Sequence, residues 1–99
     1  MGAKLDRTPK DRKSGTREVL FVCNIKPDAK DVFVAGDFNG WDATRDRLVR
    51  QSGRFSRRMK LSPGEHQYRF VIDGQWHSDP KAGAEVPNEF GASNSVIRV

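Results

Sequence analysis

The sequence predicts an all-β, antiparallel β-sandwich, on three observations. Short runs rich in β-branched and aromatic residues alternate with Gly, Pro, Asn and Asp at the spacing of strands and turns. Only 35% of the 99 residues are hydrophobic and 31% are charged, which fits the thin core of two packed layers. No stretch carries a convincing helical period. The length is that of one domain.

The elements follow in order. Residues 1–16 are polar and charged, include Pro9 and Gly15, and have little apolar surface to bury. They are expected to form a flexible basic tail, with the folded module in residues 17–99. The run 18–23, Glu-Val-Leu-Phe-Val-Cys, is a first strand, closed by Lys26-Pro27-Asp28. Residues 31–36 form a second, and residues 47–51 a third that ends at Ser52-Gly53. Residues 54–61 form a fourth, stopped by Ser62-Pro63-Gly64. Residues 65–72 form a fifth, in which His66, Tyr68, Phe70 and Ile72 share one face and Gln67, Arg69 and Val71 the other. Residues 95–99 are the last.

The net charge of +5 is unevenly spread. Residues 1–17 hold six Lys and Arg against two Asp, leaving twelve basic against eleven acidic groups in residues 18–99. A basic tail on a near-neutral body argues against a nucleic-acid groove in the fold. The cations between Arg45 and Lys60 read as the solvated face or edge of a hairpin, with only Phe55 interleaved, and Phe55 reads as core. Cys23 is the single cysteine, so no internal disulfide is possible, and a reducing, cytoplasmic compartment is expected. The N-terminus lacks the apolar segment of a secretory leader, and no run has the length of a membrane-spanning helix.

The two tryptophans are the strongest functional signal. Trp41 closes Gly36-Asp37-Phe38-Asn39-Gly40-Trp41, and Trp76 closes Val71-Ile72-Asp73-Gly74-Gln75-Trp76. Asn-Gly and Asp-Gly mark tight turns, because both residues of such pairs tolerate positive φ. Sandwiches often bury a tryptophan. Two of them, each one or two residues beyond a turn glycine, instead favour a flat aromatic platform at a sheet end or edge. Arg69, alone, reads equally as a solvated cation or as a donor beside that platform. His66 and His77 lack metal-site spacing, so no metal or cofactor is expected. Asp37, Asp42, Asp46, Asp73 and Asp79 sit among turn residues, where Asp caps the backbone, so catalysis is not expected.

Three stretches together resemble one family. They are residues 32–41, residues 63–76 with Asp79-Pro80, and residues 94–99. The family is the glycogen-binding module of the AMP-activated protein kinase beta subunit, with the related early-set domains of isoamylases and branching enzymes. The resemblance covers about residues 18–99. It implies an immunoglobulin-like sandwich that binds α-1,4-linked glucan, either glycogen-like or starch-like polysaccharide or a maltooligosaccharide. It implies stacking by Trp41 and Trp76 and hydrogen bonds from Arg69 and Asn94, with Phe90 bordering the groove. Arg69 stands where the kinase module has Lys, and Phe90 where it has Leu. Ala92 stands where it has Thr and lacks the hydroxyl. A glycogen-metabolising enzyme or a kinase, acting in trans, is the protein partner the resemblance implies. The alternative is a protein-interaction or regulatory sandwich that has lost sugar binding, a reading that Ala92 favours.

Overall fold

The computed structural model describes residues 15–99. The basic tail expected at 1–16 therefore lies, but for its last two residues, outside the described residues. No α-helix occurs among the described residues, which form nine strands. These are β1 (Arg17–Cys23), β2 (Val32–Gly36), β3 (Asp46–Arg47), β4 (Val49–Gln51), β5 (Arg54–Leu61), β6 (Glu65–Ile72), β7 (Gln75–His77), β8 (Ala84–Pro87) and β9 (Ser93–Arg98).

The strands make two antiparallel sheets. The larger has the order β3-β2-β6-β9-β8, and β7 also pairs with β6. The smaller has the order β1-β5-β4. Strand β6 is flanked by β2 on one side. On the other side its first half pairs with β9 and its second half with β7. The result is an immunoglobulin-like, early-set β-sandwich.

Side-chain alternation decides what lies between the sheets. Phe21 and Cys23 from β1 and Phe55 and Leu61 from β5 face Val32 and Val34 from β2 and Tyr68, Phe70 and Ile72 from β6. All are buried. Aromatic edges organise the centre: the rings of Phe21 and Tyr68 meet at 5.1 Å and 67°, those of Tyr68 and Phe70 at 5.8 Å and 72°. Such edge-to-face pairs add to the burial itself. The Tyr68 hydroxyl donates to Asp79 Oδ2 at 2.6 Å, which satisfies the one polar atom the ring carries inward. Burial first, and the neighbouring carboxylate second, push its ionisation well above the usual tyrosine range.

The turns follow the sequence chemistry. Between β6 and β7, Asp73 and Gly74 have φ of 49° and 82°. Between β4 and β5, Ser52 and Gly53 have φ of 54° and 80°. Positive φ at both central residues defines the turn that matches strand twist in a two-residue hairpin. The Asp73 carboxylate accepts the backbone N–H groups of Lys30 and Asp31, each at 2.9 Å, and so ties this hairpin to the start of β2.

Two departures from the sequence reading have clear causes. The strand expected at 47–51 is broken at Leu48. Asp46–Arg47 pairs with β2 in the larger sheet, and Val49–Gln51 pairs with β5 in the smaller. Leu48, only 1% exposed, is buried at the crossing while its N–H donates to Val32 O at 2.8 Å. Strands that change sheets in this way make the corners of a sandwich. Strands β7 and β8 lie outside the runs that the sequence pattern marks as strands. Each is short, and β8 ends in Pro87, which a sheet tolerates only at an edge.

Candidate functional site

The outer face of the larger sheet carries a groove of about 690 Å³. Trp41, Arg69, Trp76, Phe90 and Asn94 all line it. They arrive from five elements: the turn after β2, strand β6, strand β7, the loop between β8 and β9, and β9 itself.

Each is positioned by local structure. Arg69 lies between the inward Tyr68 and Phe70, so alternation sends it outward. Ala35 is its partner across β2, and Val71 faces Trp76 across β7. Ala35 and Val71 lie on this outer face and are nonetheless buried, so the sheet under the groove is apolar and covered. Trp76 sits in the middle of an edge strand and is 42% exposed. Neither tryptophan belongs to the core.

Trp41 owes its place to Asn39. That side chain, only 7% exposed, accepts from Gly36 N–H at 3.0 Å and donates to Val34 O at 3.0 Å and to Asp46 Oδ2 at 2.8 Å. The turn closes with Trp41 N–H donating to Gly36 O at 2.9 Å. Gly40 and Trp41 follow at φ of 68° and 60°. Gly36 needs to be a glycine: a Cβ there would lie 2.6 Å from Gln67 O and from the Phe38 ring.

The loop between β8 and β9 lifts Phe90 into the groove's border, 84% exposed. Asn88 folds this loop by accepting the N–H groups of Phe90 and Ala92 at 2.9 and 3.1 Å. It also donates to Asn94 Oδ1 at 3.1 Å, and Asn94 donates to Gln67 Oε1 at 3.0 Å. Arg69 makes no hydrogen bond or ion pair with the described residues, and its Nε is buried without a partner. Gln67, Pro87, Asn88 and Glu89 complete the lining. Gln67 was legible, since it shares Arg69's face two residues earlier. Pro87, Asn88 and Glu89 carried no signal in the sequence.

The five turn aspartates are engaged structurally. Asp42 accepts Thr44 N–H at 2.9 Å, Asp37 accepts Gln67 N–H at 2.9 Å, and Asp79 accepts Lys81 N–H at 2.9 Å. Asp46 takes Asn39 and Arg57, and Asp73 clamps β2 as described. The basic run 45–60 stays off the groove. Arg47 pairs with Asp31 at 2.8 Å, Arg57 with Asp46 at 3.3 Å, and Arg58 with Glu18 at 3.6 Å. Arg50 donates to Pro27 O and lies 5.4 Å from the Phe55 ring centre. His66 bonds Asp37 Oδ1 at 2.9 Å and Ser62 O at 2.8 Å. Cys23 is a buried free thiol, and burial raises its pKa.

A small antiparallel sandwich with one exposed and one half-buried tryptophan lining a groove, beside a row of polar side chains on the same outer face, is a ligand-binding β-sandwich module. The chain belongs to the family described as the glycogen recognition site of AMP-activated protein kinase, whose model matches residues 20–99. A 70-residue stretch is 40% identical to the beta-2 subunit of 5'-AMP-activated protein kinase from Mus musculus and from Homo sapiens. It is 39% identical to the beta-1 subunit from Sus scrofa. The stretch is 71% of this chain, 25% of the mouse and human proteins and 55% of the pig sequence. The chain thus spans about a quarter of the length of the first two relatives.

Proposed function

We propose that this chain is a non-catalytic carbohydrate-binding module for α-1,4-linked glucan, of glycogen or starch type. The observation that carries the reading is convergence: Trp41, Arg69, Trp76, Phe90 and Asn94, from five elements, line one groove. A glucose ring has an apolar C–H face and a polar rim. Tryptophan offers a broad rigid surface to the first, and Arg69 and the groove amides offer hydrogen bonds to the second. If each indole covers about 100 Å² of apolar surface, the pair contributes ~5 kcal/mol at ~25 cal/mol/Å². Ordering the sugar and the rim side chains offsets part of this, so the expected Kd is roughly 10 μM to 1 mM.

Titration with maltoheptaose, followed by tryptophan fluorescence, tests the reading. Saturable binding is expected, and Trp41→Ala and Trp76→Ala should each weaken it by about tenfold or more. No saturation by about 5 mM, with both variants behaving like wild type, sinks it.

The relatives are kinase subunits, and on that basis the module serves a kinase or a glycogen-metabolising enzyme as a partner in trans. Its single buried thiol suits a reducing, cytoplasmic setting. A second reading is a protein-interaction module without sugar binding. It draws on Ala92, and on Leu20 and Val49, which are 48% and 65% exposed on the smaller sheet. A pull-down that recovers a protein partner while the module fails to co-sediment with glycogen would favour it.

A further inference from the structure

The direction of three side-chain amides in the groove is fixed by the backbone of the Phe90 loop. Asn88 Oδ1 accepts from the N–H groups of Phe90 and Ala92. A backbone N–H only donates, so the Asn88 oxygen must face the loop and its NH2 must face away. Amide orientation is usually a choice among hydrogen-bond networks. Here it has one solution, and that solution propagates. Asn88 Nδ2 donates to Asn94 Oδ1, and Asn94 Nδ2 donates to Gln67 Oε1. The row runs from the loop across β9 to β6 and ends on Gln67 Nε2. That nitrogen has two N–H donors, no acceptor and no partner among the described residues.

Arg69 lies two residues further along the same face of β6. It too can only donate, and its Nε is buried and unpaired. The floor of the groove between the tryptophans and the Phe90 loop therefore presents donors side by side.

We propose that Gln67 contacts the ligand directly and that its Nε2 and the Arg69 guanidinium put a pair of uncommitted donors on the groove floor. This floor selects a ligand that brings two adjacent oxygen acceptors. The vicinal hydroxyl oxygens of a pyranose ring supply such a pair while the ring's apolar face lies on an indole. Their own protons then point away from the floor, toward water or the Glu89 carboxylate at the rim. The proposal rests on the α-glucan reading and adds to it a contact residue and a polarity.

The test uses 15N-labelled protein titrated with maltoheptaose, watching the Gln67 side-chain NH2 signal. Two variants run beside it. Gln67→Met keeps the length and removes both the donor and the oxygen that accepts from Asn94, whereas Gln67→Glu keeps that oxygen and puts a second acceptor where the donor stood. The NH2 signal of wild type should move with saturation. Gln67→Met should bind about threefold to tenfold more weakly, and Gln67→Glu more weakly still, with Tm within about 2 °C of wild type. A Gln67 signal that stays still while wild type saturates overturns the proposal, and so do equal affinities for the three proteins. Wild type that does not bind maltoheptaose at all overturns the α-glucan reading itself, which separates the two failures.

Discussion

Trp41 holds a backbone conformation that its side chain disfavours. At φ of 60° it lies in the left-handed region, where a bulky residue is uncommon. The strain is of order 1–2 kcal/mol, and the hydrogen bonds of the 36–41 turn hold it in place. The price is consistent with a residue kept for what its indole touches. Trp41→Gly should therefore unfold at a higher urea concentration than Trp41→Ala, by about 1 kcal/mol, because glycine relieves the strain. Both should bind maltoheptaose equally poorly. Equal midpoints in urea would show that the turn, not the residue, carries the strain. Trp41 and Trp76 were legible as surface aromatics because turn glycines precede them. The hub role of Asn39 was not, because the Asn-Gly pair signals only the turn. Its buried side chain is defined by Val34 and Asp46, which the fold brings to it.

At the scale of elements, β6 is the organising strand, and the strand pattern alone placed its two faces. The element that escaped was the one that serves two sheets. Residues 47–51 have one uninterrupted pattern, and nothing in it marks Leu48 as a crossing. Where β6 begins, His66 joins Asp37 and Ser62 O, and its ring meets Phe38 at 6.0 Å. The Ser62 carbonyl, and then the Asp37 carboxylate, raise its pKa above the ordinary 6.5, against partial desolvation. Since the folded state holds the proton more tightly than the unfolded one, this contribution is fully present below the unfolded pKa. It is lost as pH rises through the folded pKa. Tm should fall as pH rises above about 6.5, and His66→Gln should flatten that slope. A slope unchanged in His66→Gln would assign the effect elsewhere.

On the scale of the whole molecule, charge and site are kept apart. Four of the seven cations of 45–60, Arg47, Arg50, Arg57 and Arg58, are tied to carboxylates or carbonyls away from the groove, whose lining includes two indoles, three amides and one guanidinium. Affinity for maltoheptaose should thus change less than about twofold between 50 and 500 mM salt in a binding titration. A steep decline would point to phosphate-like recognition. The fold class was open to view in the sequence because alternation and turns are local. The part that Asn88 plays in the groove was not, because it arises only when β9 and β6 lie side by side.

Strand β6 also has something like a reading frame. Tyr68, Phe70 and Ile72 are core, while Gln67 and Arg69 are groove, and the two sets interleave one by one. A single inserted or deleted residue there would exchange them, putting a guanidinium between the sheets and aromatic rings in the solvent. Change at this site is therefore confined to substitution along the strand. Changes in length belong to the loop at Phe90, which makes that loop the natural place to graft a different ligand preference.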